Sequence, residues 1–182
     1  MGQYNLKVGN LSPVRLAIAD LRQAKPHPDS VWQADEPRAF ALLLEAQLNA
    51  REGSPEARKR LRQLDSVLAN PRVPVNVFDF GRPPLFTYGN LAAARLHEEA
   101  GNTAAALAAL RRRVIGVATY PHYVRYSREE GRLAALVGDT AGAIRAYRHY
   151  LALRSAPEPR LRAQADTVQI ELAALLRAAG QH

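Results

Sequence analysis

The stretch EGRLAALVGDTAGAIRAYRHYLAL, which runs from Glu130 to Leu153, decides the fold of this chain. It holds two helical patterns that are separated at Gly138. Gly131 in the first pattern and Ala143 in the second are small, so two helices can approach each other closely there. Tyr147 and then a leucine follow Ala143 at intervals of four residues, which continues one apolar stripe. The stretch therefore predicts a helical hairpin.

Two weaker copies of this pattern come earlier in the chain. In LAAARLHEEAGNTAAALAAL, Ala94 lies seven residues before Gly101 and Ala106 lies five after it, which is the spacing found around the glycine of the first stretch. In ALLLEAQLNAREGSPEARKRL, Ala46 lies seven residues before Gly53, but the next small residue comes four after it. The chain therefore holds three hairpin patterns of unequal quality.

These patterns resemble the tetratricopeptide repeat (TPR) family, whose helix pairs repeat with a period of about 34 residues. The resemblance covers Pro37 to Arg154 and rests on the small residues around the glycines. The third copy also looks like the helical repeat domains attached to bacterial transcriptional activators and large signalling proteins. The resemblance implies stacked hairpins that present a binding surface and carry out no chemistry.

We expect a single all-α domain over residues 1–182, an α-solenoid of about three TPR-like hairpins with a helix before them and a capping helix after them. Eight helices are predicted, and Ser12 is expected to be the N-cap of the first because Pro13 follows it. The predicted segments are an N-terminal helix and loop (1–34), hairpin 1 (35–70), a Pro-rich connector (71–84), hairpin 2 (85–117), hairpin 3 (121–155) and the capping helix (158–182).

The capping helix is expected to cover hairpin 3 with a single apolar stripe and to turn a polar face outward. The stripe consists of Leu161, Ala165, Val168, Leu172 and Leu176. The outward residues are Arg160, Arg162, Gln164 and Gln169.

Composition excludes several classes of protein. The chain has no cysteine, which rules out disulfides, thiolate nucleophiles and cysteine-ligated metals. The first residues lack the apolar core of a signal peptide, and no later run reaches the about 18 apolar residues of a membrane span. A cytoplasmic protein without a transmembrane segment is expected.

The sequence carries no catalytic pattern. The five histidines are scattered, and the HEEAG motif at His97 lacks the second histidine of a zinc helix, so His97 is expected to be a packing or surface residue. Glu129 and Glu130 are adjacent and would point about 100° apart on a helix, so they cannot share a substrate. We therefore expect no enzyme, no cofactor and no metal site.

The formal net charge is +8, and only three of the basic residues are lysines. Arginine favours bidentate contacts with carboxylates and phosphates. The alternative is that the arginines coat solvated helix faces and reflect composition alone. Two runs are expected to be solvated in this way: Arg58, Lys59, Arg60 and Arg62, and then Arg111, Arg112 and Arg113.

A basic groove is the exception to that expectation. The first helix of each TPR hairpin lines the concave surface of the solenoid, and in hairpin 3 an arginine stripe lies on that helix at i, i+3 and i+7. The candidate partner-binding residues are this stripe and its equivalents in the earlier copies: Arg125, Arg128, Arg132, Arg95, Gln47 and Arg51. Neutralisation of the arginines by Glu98, Glu99, Glu129 and Glu130 is the alternative.

The stripe also resembles TPR domains that clamp the carboxylate end of a peptide, although the asparagines typical of those domains are absent here.

The leading prediction is a non-catalytic scaffold or adaptor that docks an acidic peptide or a larger protein assembly. One alternative is a nucleic-acid-associated regulator, with base stacking on the tyrosines of YPHYVRY, which are otherwise expected to pack inside the hairpin. Another is a soluble accessory subunit resting on a larger complex, conceivably a membrane-bound one.

Overall fold

The fold is helical throughout the part of the chain that the computed structural model describes, namely residues 5, 6, 8–25, 36–69, 84–112 and 120–180. The all-α prediction is confirmed for these ranges. A single 3-10 turn, Pro159–Leu161, precedes the last helix. The α-helices are α1 (Leu11–Gln23), α2 (Glu36–Arg51), α3 (Ala57–Ala69), α4 (Pro84–Glu99), α5 (Thr103–Arg111), α6 (Tyr120–Leu136), α7 (Thr140–Leu153) and α8 (Arg162–Ala179).

Four glycine turns share one backbone geometry. In each turn the glycine has a positive φ between 63° and 81°, which L-residues with a side chain rarely adopt. The glycine N–H donates to the carbonyl three residues back, and the next N–H donates to the carbonyl five residues back, at 2.8–3.3 Å. These glycines are Gly9, Gly53, Gly101 and Gly138. The last three turns were predicted, and the turn at Gly9 was not.

Side chains cap the helices that follow two of these turns. Asn102 accepts a hydrogen bond from the N–H of Ala105 at 3.0 Å, and Asp139 accepts one from Gly142 at 2.9 Å. The prediction that Ser12 is the N-cap of the first helix is wrong, because α1 begins at Leu11 with Asn10 as its N-cap. Because the chain turns at Gly9, the helix begins at Leu11, before the Ser-Pro pair that was expected to begin it.

Helices pack against their neighbours in chain order. Each of α1 to α7 contacts the next helix, and α2 also contacts α4. One apolar cluster joins α1 to α2, a large central cluster runs from α2 to α7, and a third joins α7 to α8. The core is therefore continuous along the chain.

The small residues that define the hairpins lie where the helices meet. Ala46, Ala94, Ala106 and Ala143 are all buried, as the pattern predicted. A Cβ atom at Gly131 would lie 2.2 Å from Cδ1 of the buried tyrosine at position 147, so this ring occupies the space beside the glycine. Close approach at Gly131 is confirmed, and the residue that exploits it is a tyrosine on α7.

The capping helix is rotated relative to the prediction. Ala165 and Val168 are buried against α7 and Leu172 is half-buried, as expected, but Leu175 completes the stripe, whereas Leu176 is 40% exposed. Gln164, expected to face outward, accepts a hydrogen bond from the Tyr150 hydroxyl at 3.0 Å. The predictions for Leu176 and Gln164 are therefore wrong. Leu176 is exposed because the buried positions of α8 advance by three, four and three residues, which ends the stripe at Leu175. Gln164 faces inward because the buried hydroxyl of Tyr150 requires a polar partner.

The Pro-rich connector predicted over 71–84 lies outside the described residues, apart from Pro84, which begins α4. The same holds for Arg113 and for the end of hairpin 2. Within the described ranges, none of the helices has the length and apolar character that crossing a membrane requires.

Candidate functional site

The predicted arginine stripe lies on α6, and one of its members is held by two carboxylates. Arg132 forms a bidentate pair with Glu98 of α4, with nitrogen–oxygen distances of 2.6 and 2.7 Å. Its Nε atom donates to Glu129 at 3.1 Å. We call this group of three residues the Arg132 clamp. Bidentate pairs of charged groups are among the strongest polar contacts in proteins, so the clamp ties α6 to α4.

The charges in the Arg132 clamp stabilise one another. Hydrogen bonding to Arg132 holds the pKa of Glu98 below its ordinary value, and Coulombic attraction from Arg95 adds to this effect. Hydrogen bonding to Glu98 in turn raises the pKa of the guanidinium. Two carboxylates surround one guanidinium, so the Arg132 clamp itself carries a net charge of about −1.

The other arginines of the stripe are more open. Arg128 approaches Glu129 only at 3.9 Å, and its side chain is 38% exposed. Arg125, one turn earlier on α6, is exposed, and so is Arg95 on α4. The arginines with accessible donors are therefore Arg95, Arg125 and Arg128. Arg132 differs from them because it already pairs with two carboxylates of the chain.

A groove of about 280 Å³ runs between α6 and α8. Arg128 and Arg132 line one side, and α8 contributes Gln164, Thr167 and Glu171. The buried Tyr147 closes the groove, and its hydroxyl donates to Glu171. Burial, together with this carboxylate, raises the pKa of Tyr147. The α8 residues were missed as site residues because the sequence pattern assigned that helix a covering role only.

The two remaining predicted site residues lie on α2. Gln47 is half-buried, and Arg51 donates to the carbonyl of Leu6. Arg51 therefore ties the turn at Gly9 to the end of α2. The structure does not bring this pair into the groove between α6 and α8, and a partner-binding role for all six residues stays a prediction.

Arginines at the end of α5 join neighbouring hairpins. Arg111 pairs with Asp139 at 2.5 Å and with Glu130 at 3.3 Å. Arg112 pairs with Asp65 of α3 at 2.5 Å. The prediction that Arg112 is solvated is wrong, because Arg112 is half-buried, whereas Arg111 is exposed as predicted and is also paired with two carboxylates.

His97 shares the acidic partner of Arg112. Its Nε2 atom contacts Asp65, while Asn90, fully buried on α4, accepts a hydrogen bond from Arg112 at 3.2 Å. His97 is therefore a packing residue, one of the two roles expected for it. In the part of the chain that the structure describes, no group of three acidic or histidine side chains is placed to hold a metal ion.

Two tyrosines of α6 pack against neighbouring side chains in the hairpin. Tyr126 is buried, and the ring of Tyr123 meets that of His149 edge-on, with centroids 5.5 Å apart and an interplanar angle of 71°. The side chain of Tyr120 lies outside the described residues. The packing interpretation is confirmed for Tyr126 and fits the ring contact of Tyr123.

A second charged site, which the sequence analysis missed, lies among α1, α2 and α3. Glu45 is only 7% exposed and pairs with Arg22 at 2.5 Å and with Arg60 at 3.3 Å. Arg60 is half-buried, so the prediction that it is solvated is wrong. These residues border a groove of about 520 Å³, which we call the Glu45 groove. A single acidic residue inside the apolar run ALLLEAQL was the signal that could have revealed it.

No family model, no curated protein and no solved structure matches this chain. The function is therefore argued from the geometry of these sites. The TPR resemblance is carried forward as a proposal.

Proposed function

We propose that this chain is a non-catalytic interaction scaffold, an α-solenoid of TPR-like hairpins that docks an acidic peptide or a larger protein assembly. The recurrence of one glycine turn geometry at Gly9, Gly53, Gly101 and Gly138 is the observation that carries the proposal. Contacts between chain neighbours add support, because each unit of a solenoid packs only on the units beside it.

The last helix follows the repeat in its spacing alone. Ala173 precedes Gly180 by seven residues, as Gly131 precedes Gly138, but Ala173 is exposed and Gly180 has a φ of −83°. In this scheme α2, α4, α6 and α8 are first helices, and α1, α3, α5 and α7 are second helices. The helix α8 then takes the place of a fourth first helix and covers α7.

The proposed docking surface is formed by the first helices. Arg95 and Arg125 are exposed on α4 and α6, and Arg128 is partly exposed and lines the groove between α6 and α8. Guanidinium groups with free donors bind carboxylates well. An acidic protein segment is therefore the ligand class that this surface favours.

Capture of a partner tests the proposal. The immobilised chain is incubated with lysate of its native cell, captured proteins are identified by mass spectrometry, and binding is repeated with the purified partner. The double variant Arg125→Glu with Arg128→Glu should lose capture while its melting temperature stays unchanged, because exposed charges contribute little to folding. The matched control is Arg58→Glu with Arg62→Glu on the exposed face of α3. Equal capture by both double variants would contradict the proposed surface.

A nucleic-acid-associated regulator is the second candidate, favoured by the net charge of +8. The pairing of Arg111, Arg112 and Arg132 with acidic groups weighs against it, because these guanidiniums are occupied. Phosphate-dominated binding would fall steeply with salt and would tolerate any oligonucleotide sequence. Such a result, with no stoichiometric protein partner, would replace the scaffold proposal.

An accessory subunit of a larger complex is a variant of the scaffold proposal. The observation that favours it is a set of exposed apolar side chains, Leu136 and Val137 at the end of α6 and Ile170 on α8. Apolar side chains of this size can join a larger interface. Co-purification of the chain with a stable assembly would identify this case.

A further inference from the structure

The Glu45 groove has an apolar floor and a basic rim. Ala41, Leu42 and Val67 contribute the apolar surface, and α1, α2 and α3 each contribute one arginine to the rim. These arginines are Arg22, Arg38 and Arg60. The groove is therefore suited to a ligand that combines aliphatic groups with negative charge.

Glu45 holds two of the rim guanidiniums in place. Its Oε1 atom pairs with Arg22 and its Oε2 atom pairs with Arg60, so each carboxylate oxygen is used once. Arg60 also donates to Gln63 at 3.1 Å. A guanidinium has five N–H donors, so both arginines keep donors for a ligand after these contacts.

Arg38 adds a positive charge to the groove, and the single carboxylate of Glu45, which already pairs with two arginines, does not neutralise it. It is exposed on α2 and has no ion-pair partner among the residues that the structure describes. Three arginines and one carboxylate stand among the described residues that line the groove, and together they carry a net charge of about +2. An anionic ligand would therefore gain attraction here without displacing an existing ion pair.

We propose that the Glu45 groove binds an acidic peptide segment, whose carboxylates contact Arg38 and Arg22 and whose aliphatic side chains lie on the apolar floor. The proposal deepens the scaffold function and rests on it. A peptide fits better than a nucleic acid, because the described lining contains no aromatic side chain for base stacking and its arginines form one cluster instead of a track.

Fluorescence anisotropy with a defined probe tests this proposal. The probe is a fluorescein-labelled nonapeptide in which acidic residues alternate with leucine, and its neutral counterpart carries asparagine and glutamine in their place. Arg38→Gln should weaken binding of the acidic probe about tenfold, because a charge-assisted contact is lost. The matched control Arg62→Gln removes the same charge from an exposed site on α3 outside the groove, and should change binding by less than about twofold. The melting temperatures of both variants should equal that of the wild type.

Several outcomes would overturn the proposal. One is a similar loss of binding in Arg38→Gln and Arg62→Gln, and another is equal binding of the neutral probe. Loss in Arg128→Gln with full binding in Arg38→Gln would place the acidic ligand on the α6 stripe, which defeats this inference and leaves the scaffold function standing. Failure of the wild type to bind the probe, or Arg38-dependent binding of a mixed-sequence single-stranded oligonucleotide in its place, would also defeat it. The scaffold function is judged separately, by stoichiometric capture of a native protein partner.

Discussion

The Glu45 groove and the Arg132 clamp are built from the same residue types with the signs reversed. In the groove one carboxylate, Glu45, lies between Arg22 and Arg60, whereas in the clamp one guanidinium lies between two carboxylates. The described lining of the Glu45 groove therefore keeps a surplus of positive charge, whereas the guanidinium of the Arg132 clamp is neutralised by its two carboxylates. A basic composition does not by itself give a basic surface, because the placement of a few glutamates decides where free charge remains.

The predicted stripe therefore contains arginines of two kinds, one that stabilises the fold and others that are open to a partner. Arg132 pairs bidentately with Glu98 and stabilises the contact between helices, while Arg128, one turn away on α6, is partly exposed and reaches a carboxylate only at 3.9 Å. Sequence spacing treats these residues as equivalent.

Gly131→Val should destabilise the C-terminal region most. The added side chain would displace the Tyr147 ring from its contact between α6 and α7, at a cost of about 3 kcal/mol in unfolding free energy. Gly53→Ala near the N-terminal helices meets no neighbour but must adopt a positive φ, so it should cost about 1 kcal/mol. Chemical denaturation of both variants gives the comparison. Equal effects would mean that the close approach at Gly131 does not exist in solution.

Arg132→Met should lower the free energy of unfolding by about 1–2 kcal/mol, because Glu98 and Glu129 lose their shared cation in a half-buried position. Arg128→Met is the matched control on the same helix and should stay within about 0.5 kcal/mol of the wild type. Urea titration measures both values. If Arg132→Met is as stable as the wild type, Arg132 is not a structural residue and belongs with the open arginines that are proposed to bind a partner.

The features that could be predicted from the sequence depend on residues that are close together in the chain. The turn at Gly138 and the burial of Ala143 follow from residues close together in the chain, so the hairpin could be derived from spacing alone. The turn at Gly9 was missed because few residues precede it, and the described helical positions there, residues 5, 6 and 8, are too few to show a period. The error at Leu176 reflects the rotation of α8 on α7, which depends on how two surfaces interlock. The pairing of Arg132 with a residue 34 positions away depends on the stacking of hairpins, which no local pattern encodes.

Tyr147→Phe should cost about 1 kcal/mol, because the variant removes a hydrogen bond to Glu171 and leaves the packing of the ring unchanged. Tyr150→Phe removes the comparable bond to Gln164 and should have a similar effect. Thermal unfolding of both variants checks this prediction. A larger loss for either variant would show that its hydroxyl does more than join α7 to α8.

Acid should weaken the Arg132 clamp. The folded-state pKa of Glu98 lies below its ordinary value, so the stability it contributes is present above the unfolded-state pKa and is lost as pH falls through the folded-state pKa. The difference in unfolding free energy between wild type and Glu98→Gln should therefore shrink between pH 6 and pH 3, by at most about 1 kcal/mol after allowance for solvent screening. Denaturation at several pH values measures it. A difference that does not change with pH would show that Glu98 is not held charged by the clamp.

A double-mutant cycle on Arg132 and Glu98 tests most directly whether the stripe contains a structural arginine. The unfolding free energies of Arg132→Met, Glu98→Gln and the double variant are compared with that of the wild type. We predict that the two residues are coupled by about 1 kcal/mol, so the second substitution costs little once the first is present. Additive effects, with a coupling energy near zero, would contradict the division of the arginines into structural and open positions.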